Sequence, residues 1–411
     1  MKLSKKKIFL SWLLVFLCAS SIFFLVPLAR TISNFVKTNW NISLFGYSVL
    51  IVVFFVFLLS LYFLWYRLSI RAVSQYLWLA AVALVYVFFT LKLWRRPEEA
   101  IHFLEYGLLG FLLFKAFRHH IHDKSVYFAA FLLGAMIGLF DEILQWMVPL
   151  RYWDLRDVGL NALSVGLFQI AFWKGIRPEI SSTRVTPKSM RIISWLLVAN
   201  LFLLGLCSSN TPPRVRSYTK LFPFLSFLNK QEPMKELKHK HKDPEIGVFF
   251  SRLEVEELKR IDSERTVEYS TILKEWSTKE YGDFLINFPG FDHPFLHEMR
   301  VHIFRRDRRF SEAKKTNSQK NREKNLLIAY KENLILEKYF EKTLKKSPYK
   351  WRNKRSKQIE SEIDVMGFYK SPVSASDPIP FKEKTLWGII FLISITLIFL
   401  NIWISRRQKS T

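Results

Sequence analysis

Residues 126–148 read VYFAAFLLGAMIGLFDEILQWMV, and this stretch decides the class of fold. Its first 15 residues carry no charge, and apolar side chains fill the block instead of recurring at a helical or strand period. A helix needs about 18 or more largely apolar residues to cross roughly 30 Å of hydrocarbon. The 23 residues here are enough. Only near the end of the block do Asp141, Glu142 and Gln145 interrupt it.

Comparable blocks stand at 8–28, 42–66, 76–94, 101–117, 158–173, 191–207 and 386–404, of which the fourth and sixth spans in chain order are short and polar at one end. The chain of 411 residues is half hydrophobic and holds 38 Phe and 13 Trp, more apolar and aromatic material than a soluble core needs. The expected fold is therefore an all-α polytopic membrane protein with about eight transmembrane helices and a mostly helical soluble domain. Residues 1–100 hold helices one to three and 101–207 hold helices four to seven. The soluble basic domain occupies 208–385, and 386–411 form the last helix and a tail. The N-terminus, with Lys2, Lys5, Lys6 and Lys7 before an apolar run, is built like a signal peptide. The run continues to about Leu28 without a small-x-small cleavage site, which favours an uncleaved first span.

A formal charge of +26 would suggest nucleic acid in a soluble protein, but its distribution points elsewhere. With the N-terminus inside, the inner segments hold 16 basic residues and the short outer loops and their borders hold 7. That bias places both termini in the cytoplasm and 208–385 outside, in the cytoplasmic membrane of a bacterium. Lys92, Arg95 and Arg96 run against the local trend. Nucleic acid is excluded as a partner on the outer side. Cys18 and Cys207 both lie in apolar spans and read as small buried hydrophobes.

In the soluble domain, Ser208 to Pro213 reads as a linker, and Ser251 with Glu254 makes a capping box. Leu258, Ile261, Ile272 and Trp276 then follow at helical spacing. Pro294 opens a second helix through His297, Val301 and Phe304, and a third covers roughly 322–345. The basic run 345–357 reads as a solvated linker, with attraction to anionic headgroups or wall polymers as the competing reading. A Pro/Ser-rich tether, Ser371 to Pro380, leads to the last span. Asp292, His293, His297, Glu298 and His302 form a weak metal candidate, with half-exposed surface residues as the plainer reading.

Charges in hydrocarbon cost roughly 2.5–3.5 kcal/mol each on insertion scales, so those in the middle spans should face a bundle interior. His102, Glu105 and Tyr106 share one face of the fourth span. Asp141, Glu142 and Gln145 lie late in the fifth, and Asp157 with Asn161 opens the sixth. Arg151, Asp154 and Arg156 sit in the loop before it, among Trp146, Tyr152 and Trp153 at interfacial depth. Alternating span direction puts all three sets in one layer beneath the outer membrane–water interface. Gly134 and Gly138 allow a neighbouring helix to approach closely.

The series His102-x-x-Glu105-Tyr106, Asp141-Glu142-x-x-Gln145 and Arg151-x-x-Asp154-x-x-Asp157-x-x-x-Asn161 resembles the pattern of VanZ-like membrane proteins over residues 92–173. Where that pattern has glycine shortly after the Asn, this chain has Ser164 and Gly166, and the family's leading Lys is replaced in the vicinity by Arg95 or Arg96. The resemblance implies a bacterial cell-envelope protein, from a family named for a member that lowers susceptibility to the glycopeptide teicoplanin. It supplies no mechanism.

Three accounts of the polar layer remain open. It binds an amphiphilic membrane lipid or lipid-linked envelope component, with arginines on phosphate or carboxylate and carboxylates on hydroxyl or amine groups. Alternatively, it is the site of an enzyme modifying such a lipid, with His102 as base or carboxylates on a divalent metal. Or it is a buried polar network that fixes helix register. No catalytic residue and no cofactor is singled out by the sequence.

Overall fold

The computed structural model describes residues 5–149, 151–178, 180, 182, 185–236, 238–374 and 382–407. Lys2, Arg184 and Lys409 of the charge count, and 375–380 of the expected tether, lie outside the described residues. The chain forms two compact units. One comprises 1–148, 153–209 and 381–411; the other comprises 149–152 and 210–380.

The first unit is a helical bundle. Its elements are α1 (Lys5–Asn39), α2 (Leu44–Tyr62) with a π turn Phe63–Arg67, and α3 (Val73–Lys92). A 3-10 turn Pro97–Ile101 leads into α4 (His102–Phe117), followed by α5 (Ser125–Met147) and α6 (Leu155–Ile170) with a π turn Ala171–Ile176. Then come α7 (Pro187–Ser208) and, after the second unit, a helix Glu383–Arg407. Seven of these helical segments are long and apolar enough to cross a membrane. The sixth expected span is the exception: α6 has only 16 residues and buries Asn161, Ser164 and Gln169.

Its contacts nevertheless run the height of the bundle. At its start Arg156 Nη2 donates to Glu99 Oε2 at the head of α4 (2.8 Å). Past its far end, in the π turn, the Gly175 carbonyl accepts from Gln75 Nε2 at the foot of α3 (2.7 Å). Asp123 in the α4–α5 loop accepts from Ser189 Oγ of α7 (2.7 Å). At the same end, Ser11 and Trp12 of α1 pair with His119 and His120 at 3.0 Å. The polar side chains that depress the hydropathy of α6 bind neighbouring helices instead of facing lipid. Ser164 Oγ donates to the Phe103 carbonyl (3.0 Å), and Gln169 Nε2 to the Gly110 carbonyl (2.9 Å).

Helices α4 and α5 are the most buried of the spans, whereas α2 is apolar all round and almost entirely outward-facing. Glycine permits the tight α5–α6 crossing. A methyl at Gly134 would lie 2.7 Å from a Val165 carbon, and one at Gly138 would lie 2.9 Å from the Asn161 Cβ.

The second unit contains α8 (Pro212–Leu221), a 3-10 segment Pro223–Lys230, and a hairpin of β1 (His239–Asp243) and β2 (Gly247–Ser251). Helices α9 (Val255–Glu264), α10 (Thr266–Glu275) and α11 (Tyr281–Asn287) follow. The long pair α12 (Pro294–Lys315) and α13 (Gln319–Tyr339) precedes α14 (Glu341–Lys346) and α15 (Asn353–Glu360); the last span Glu383–Arg407 is then α16. Phe249, Leu258, Leu273, Phe295, Met299 and Leu336 meet in its main core. Pro294 opens α12 as the sequence predicts.

Other expectations need correction here. The Ser208–Pro213 linker is short, because Pro212 already begins α8. Ser251 caps no helix: it ends β2 and donates to Glu298 Oε2 (2.6 Å), while α9 starts at Val255 without a side-chain cap. The helix drawn through Trp276 is two helices, broken at Arg265. The basic run 345–357 is not simply a linker. Trp351 is buried within it, and Arg355 lies over the Trp351 and Phe310 rings. The expected tether is likewise built into the domain at its start, since Ser371 is buried and its N–H donates to the Val248 carbonyl (2.8 Å). The hairpin turn needs Gly247, whose φ of 108° suits glycine and whose missing side chain leaves room for the Tyr369 carbonyl.

Candidate functional site

The polar layer is assembled from α4, α5 and α6. On α5, Asp141 and Glu142 are adjacent, and Gln145 lies one turn on, so its amide can reach both. Gln145 Nε2 donates to Asp141 Oδ2 (3.2 Å) and to Glu142 Oε1 (3.0 Å). Tyr106 Oη, from α4, donates to the same Asp141 oxygen (3.0 Å). All four side chains are buried. Asp141 therefore receives two neutral donors but no cation at contact distance among the described hydrogen bonds and ion pairs.

One turn up α4, His102 Nδ1 lies 3.2 Å from Glu105 Oε2, too poorly aligned for a good hydrogen bond. Both side chains remain about one-fifth exposed. The charges of Glu105, Asp141 and Glu142 all act on this imidazole, and the imidazole acts on Asp157. His102 thus neighbours carboxylates from three helices. Cys18 of α1 also lies within the field of Glu105.

Arg156 anchors the rim. Asp154 caps α6 by accepting from the Arg156 backbone N–H (2.8 Å). The guanidinium contacts Asp157 (3.0 Å) and Glu99 (2.8 Å), with Asp154 at 3.7 Å. Arg96 adds a second pair to Glu99 at 3.1 Å. Glu99 does not figure in the sequence reading. Its signal is positional: it falls three residues before His102, in a proline-opened turn at the mouth of the span. Arg151 lies in the segment 149–152, which groups with the second unit.

Asn161 completes the layer. It is fully buried at the α5–α6 crossing, beside Gly138 and near the Tyr106 ring, and neither amide atom has a hydrogen-bond partner among the described residues. An orphaned buried polar group costs roughly 1–3 kcal/mol, which sets this carboxamide apart from the satisfied Gln145 and Ser164. Tyr86 Oη donates to the Ser164 carbonyl (2.8 Å), closing the α3–α6 seam nearby.

The histidine group of the second unit is arranged differently. His297 Nδ1 meets the Phe288 carbonyl (2.8 Å) and its Nε2 lies 3.2 Å from Glu232. His302 Nδ1 lies 2.5 Å from Glu332. Both histidines are buried, as is Glu298, so they are not half-exposed surface residues. His293, only partly buried, sits at the start of α12. Among the described residues no group of three His, Cys, Asp or Glu is placed to hold a metal.

Glu332 is the centre of the second unit's polar core. It also receives Arg305 Nε (2.8 Å), Tyr369 Oη (2.5 Å) and Ser371 Oγ (2.9 Å). Burial alone would raise its carboxyl, but the His302 charge and these hydrogen bonds outweigh burial and hold it below the ordinary glutamate value.

These features define a polytopic helical membrane protein with a charged layer inside its bundle and a separate helical domain. Comparisons with family models, curated proteins and solved structures each find no match for this chain.

Proposed function

We propose that this is a VanZ-like cell-envelope protein whose polar layer binds an amphiphilic lipid or lipid-linked wall component at the outer membrane–water interface. The observation that carries the reading is the fully buried Asn161 amide, without a partner among the described residues, in the same layer as a His102–Glu105 pair that is still partly open. Buried polar groups in packed networks are mostly satisfied, so this amide favours a ligand over packing alone. Arg156 is already engaged by carboxylates, so the layer is suited to hydroxyl or amine groups of a ligand more than to its phosphate. The placement outside, with both termini cytoplasmic, rests on the bias of basic residues. An influence on glycopeptide susceptibility rests on the resemblance alone.

The test compares Glu105→Gln, Asp157→Asn and Asn161→Leu with the parent protein. Each is purified in mild detergent, and thermal unfolding is followed beside retention of co-purifying lipid. Ligand binding predicts lost lipid with little loss of stability for the first two variants. Lipid retained throughout, with large losses of thermal stability, would leave the register-fixing network as the better account. The bonds that Tyr106 and Gln145 make to Asp141 favour that second reading.

A further inference from the structure

Helices α7 and α16 pack antiparallel. At one end Trp387 Nε1 donates to Ser209 Oγ (2.8 Å), and a methyl on Gly205 would touch Ile390 and Trp387. Toward the other end the helices part to leave a cleft of about 340 Å³. Along the helices, the apolar Val198 and Leu397 are its lining residues farthest from the arginines. Its mouth carries Arg191, in the second turn of α7, and Arg406, at the end of α16.

Neither arginine has a carboxylate partner among the described residues. Between the arginines and this apolar pair lie Ser194 and Asn401. At 1.5 Å per residue, Ser194 is about 4.5 Å deeper than Arg191. Ser194 is nine-tenths buried, and its hydroxyl has no partner among the described residues. Asn401 spends its amide N–H on the Leu397 carbonyl, which leaves its oxygen to accept. The cleft therefore presents two unpaired cations, then a neutral polar step, then hydrocarbon. Its outer wall, Trp195, faces outward from the bundle, where lipid would lie.

We propose that this cleft is a binding site for an anionic phospholipid. The phosphate sits between Arg191 and Arg406, the ester region meets Ser194 and Asn401, and one acyl chain lies along Val198 and Leu397. Basic pockets between spans attract anionic headgroups, and a guanidinium offers paired donors to phosphate. A zwitterionic lipid fills the same hydrocarbon space but brings a cation of its own toward the two arginines. The site is separate from the carboxylate layer and does not depend on what that layer binds.

The test uses the full-length protein in mixed micelles with photoactivatable phosphatidylglycerol, mapped by peptide mass spectrometry. Label should concentrate on peptides spanning 191–198 and 397–406, and excess unlabelled phosphatidylglycerol should displace it. Phosphatidylcholine and inorganic phosphate should displace it poorly. Arg191→Gln with Arg406→Gln should lower the preference for phosphatidylglycerol over phosphatidylcholine roughly thirtyfold, the effect of two basic side chains at a leaflet surface. Labelling of α1 and α2 in the unaltered protein as strong as that of 191–198 and 397–406 would overturn the proposal, with no variant needed. Equal displacement by phosphatidylcholine would overturn it too, and displacement by inorganic phosphate alone would show a simple anion site.

Discussion

Replacing Glu332 by leucine should open the second unit locally while leaving the bundle intact. The side chain is fully buried and accepts from His302, Arg305, Tyr369 and Ser371. Leucine nearly fills the volume, so the loss is one of partners and not of packing. Arg305 is about one-fifth exposed and regains water. His302, Tyr369 and Ser371 are buried and cannot. Three orphaned groups at roughly 1–3 kcal/mol each set a range that measured losses at buried ionic sites narrow to about 3–5 kcal/mol. Hydrogen exchange on the intact chain reads this directly, because local opening energies appear as exchange rates peptide by peptide. Peptides from α12 and α13 should exchange roughly two to three and a half orders of magnitude faster. Peptides from α4 and α5 should be unchanged. Acceleration below about tenfold in α12 and α13 would refute the assignment of Glu332 as the domain's polar centre.

Glu332 also sets a pH dependence. Its folded carboxyl lies below the unfolded value of about 4.3, so its stabilisation is complete above that pH and is lost as pH falls through the folded value. Protection of α12 and α13 should therefore hold from neutral pH to about 5 and weaken below about 4.3, with Glu332→Gln flattening that change. In the bundle, Gly138→Ala should lower thermal stability by roughly 1–3 kcal/mol through the Asn161 contact, whereas Gly159→Ala, with nothing within 4 Å, should cost nothing. Unfolding of the two variants in detergent gives the comparison. For sidedness, a cysteine at Ser318 should react with a membrane-impermeant thiol reagent in cells stripped of any outer barrier, and one at Ser182 should not. The reverse pattern would invert the proposed topology.

The membrane class was legible because hydrophobic length is a local property. Any stretch such as 126–148 must be shielded from water whatever its neighbours do. The members of the polar layer were legible for a related reason: Asp141, Glu142 and Asp157 are costly where they stand, and cost in hydrocarbon is read residue by residue. Their alternating span direction even placed them at one depth. What could not be read locally was partnership. Glu99 looks like a loop carboxylate until Arg156, 57 residues later, meets it at 2.8 Å. Ser251 with Glu254 satisfies a helix-start pattern, yet Glu298 draws that serine into a strand end.

By itself, then, the sequence determined that this chain lies largely in a membrane as helices, that α4 to α6 carry buried charge, and that a separate basic helical domain interrupts the last two spans. Only the tertiary structure decided that α6, too polar by hydropathy, runs the height of the bundle, because Ser164 and Gln169 satisfy their groups on α4 backbone. It alone placed Arg156 among the carboxylates and left Asn161 without a partner among the described residues. It alone joined His302, in α12, to Glu332, in α13. The physical reason is common to all three. Burial of apolar length is additive along the chain, whereas satisfaction of a polar group depends on which distant group the fold brings to within about 3 Å of it.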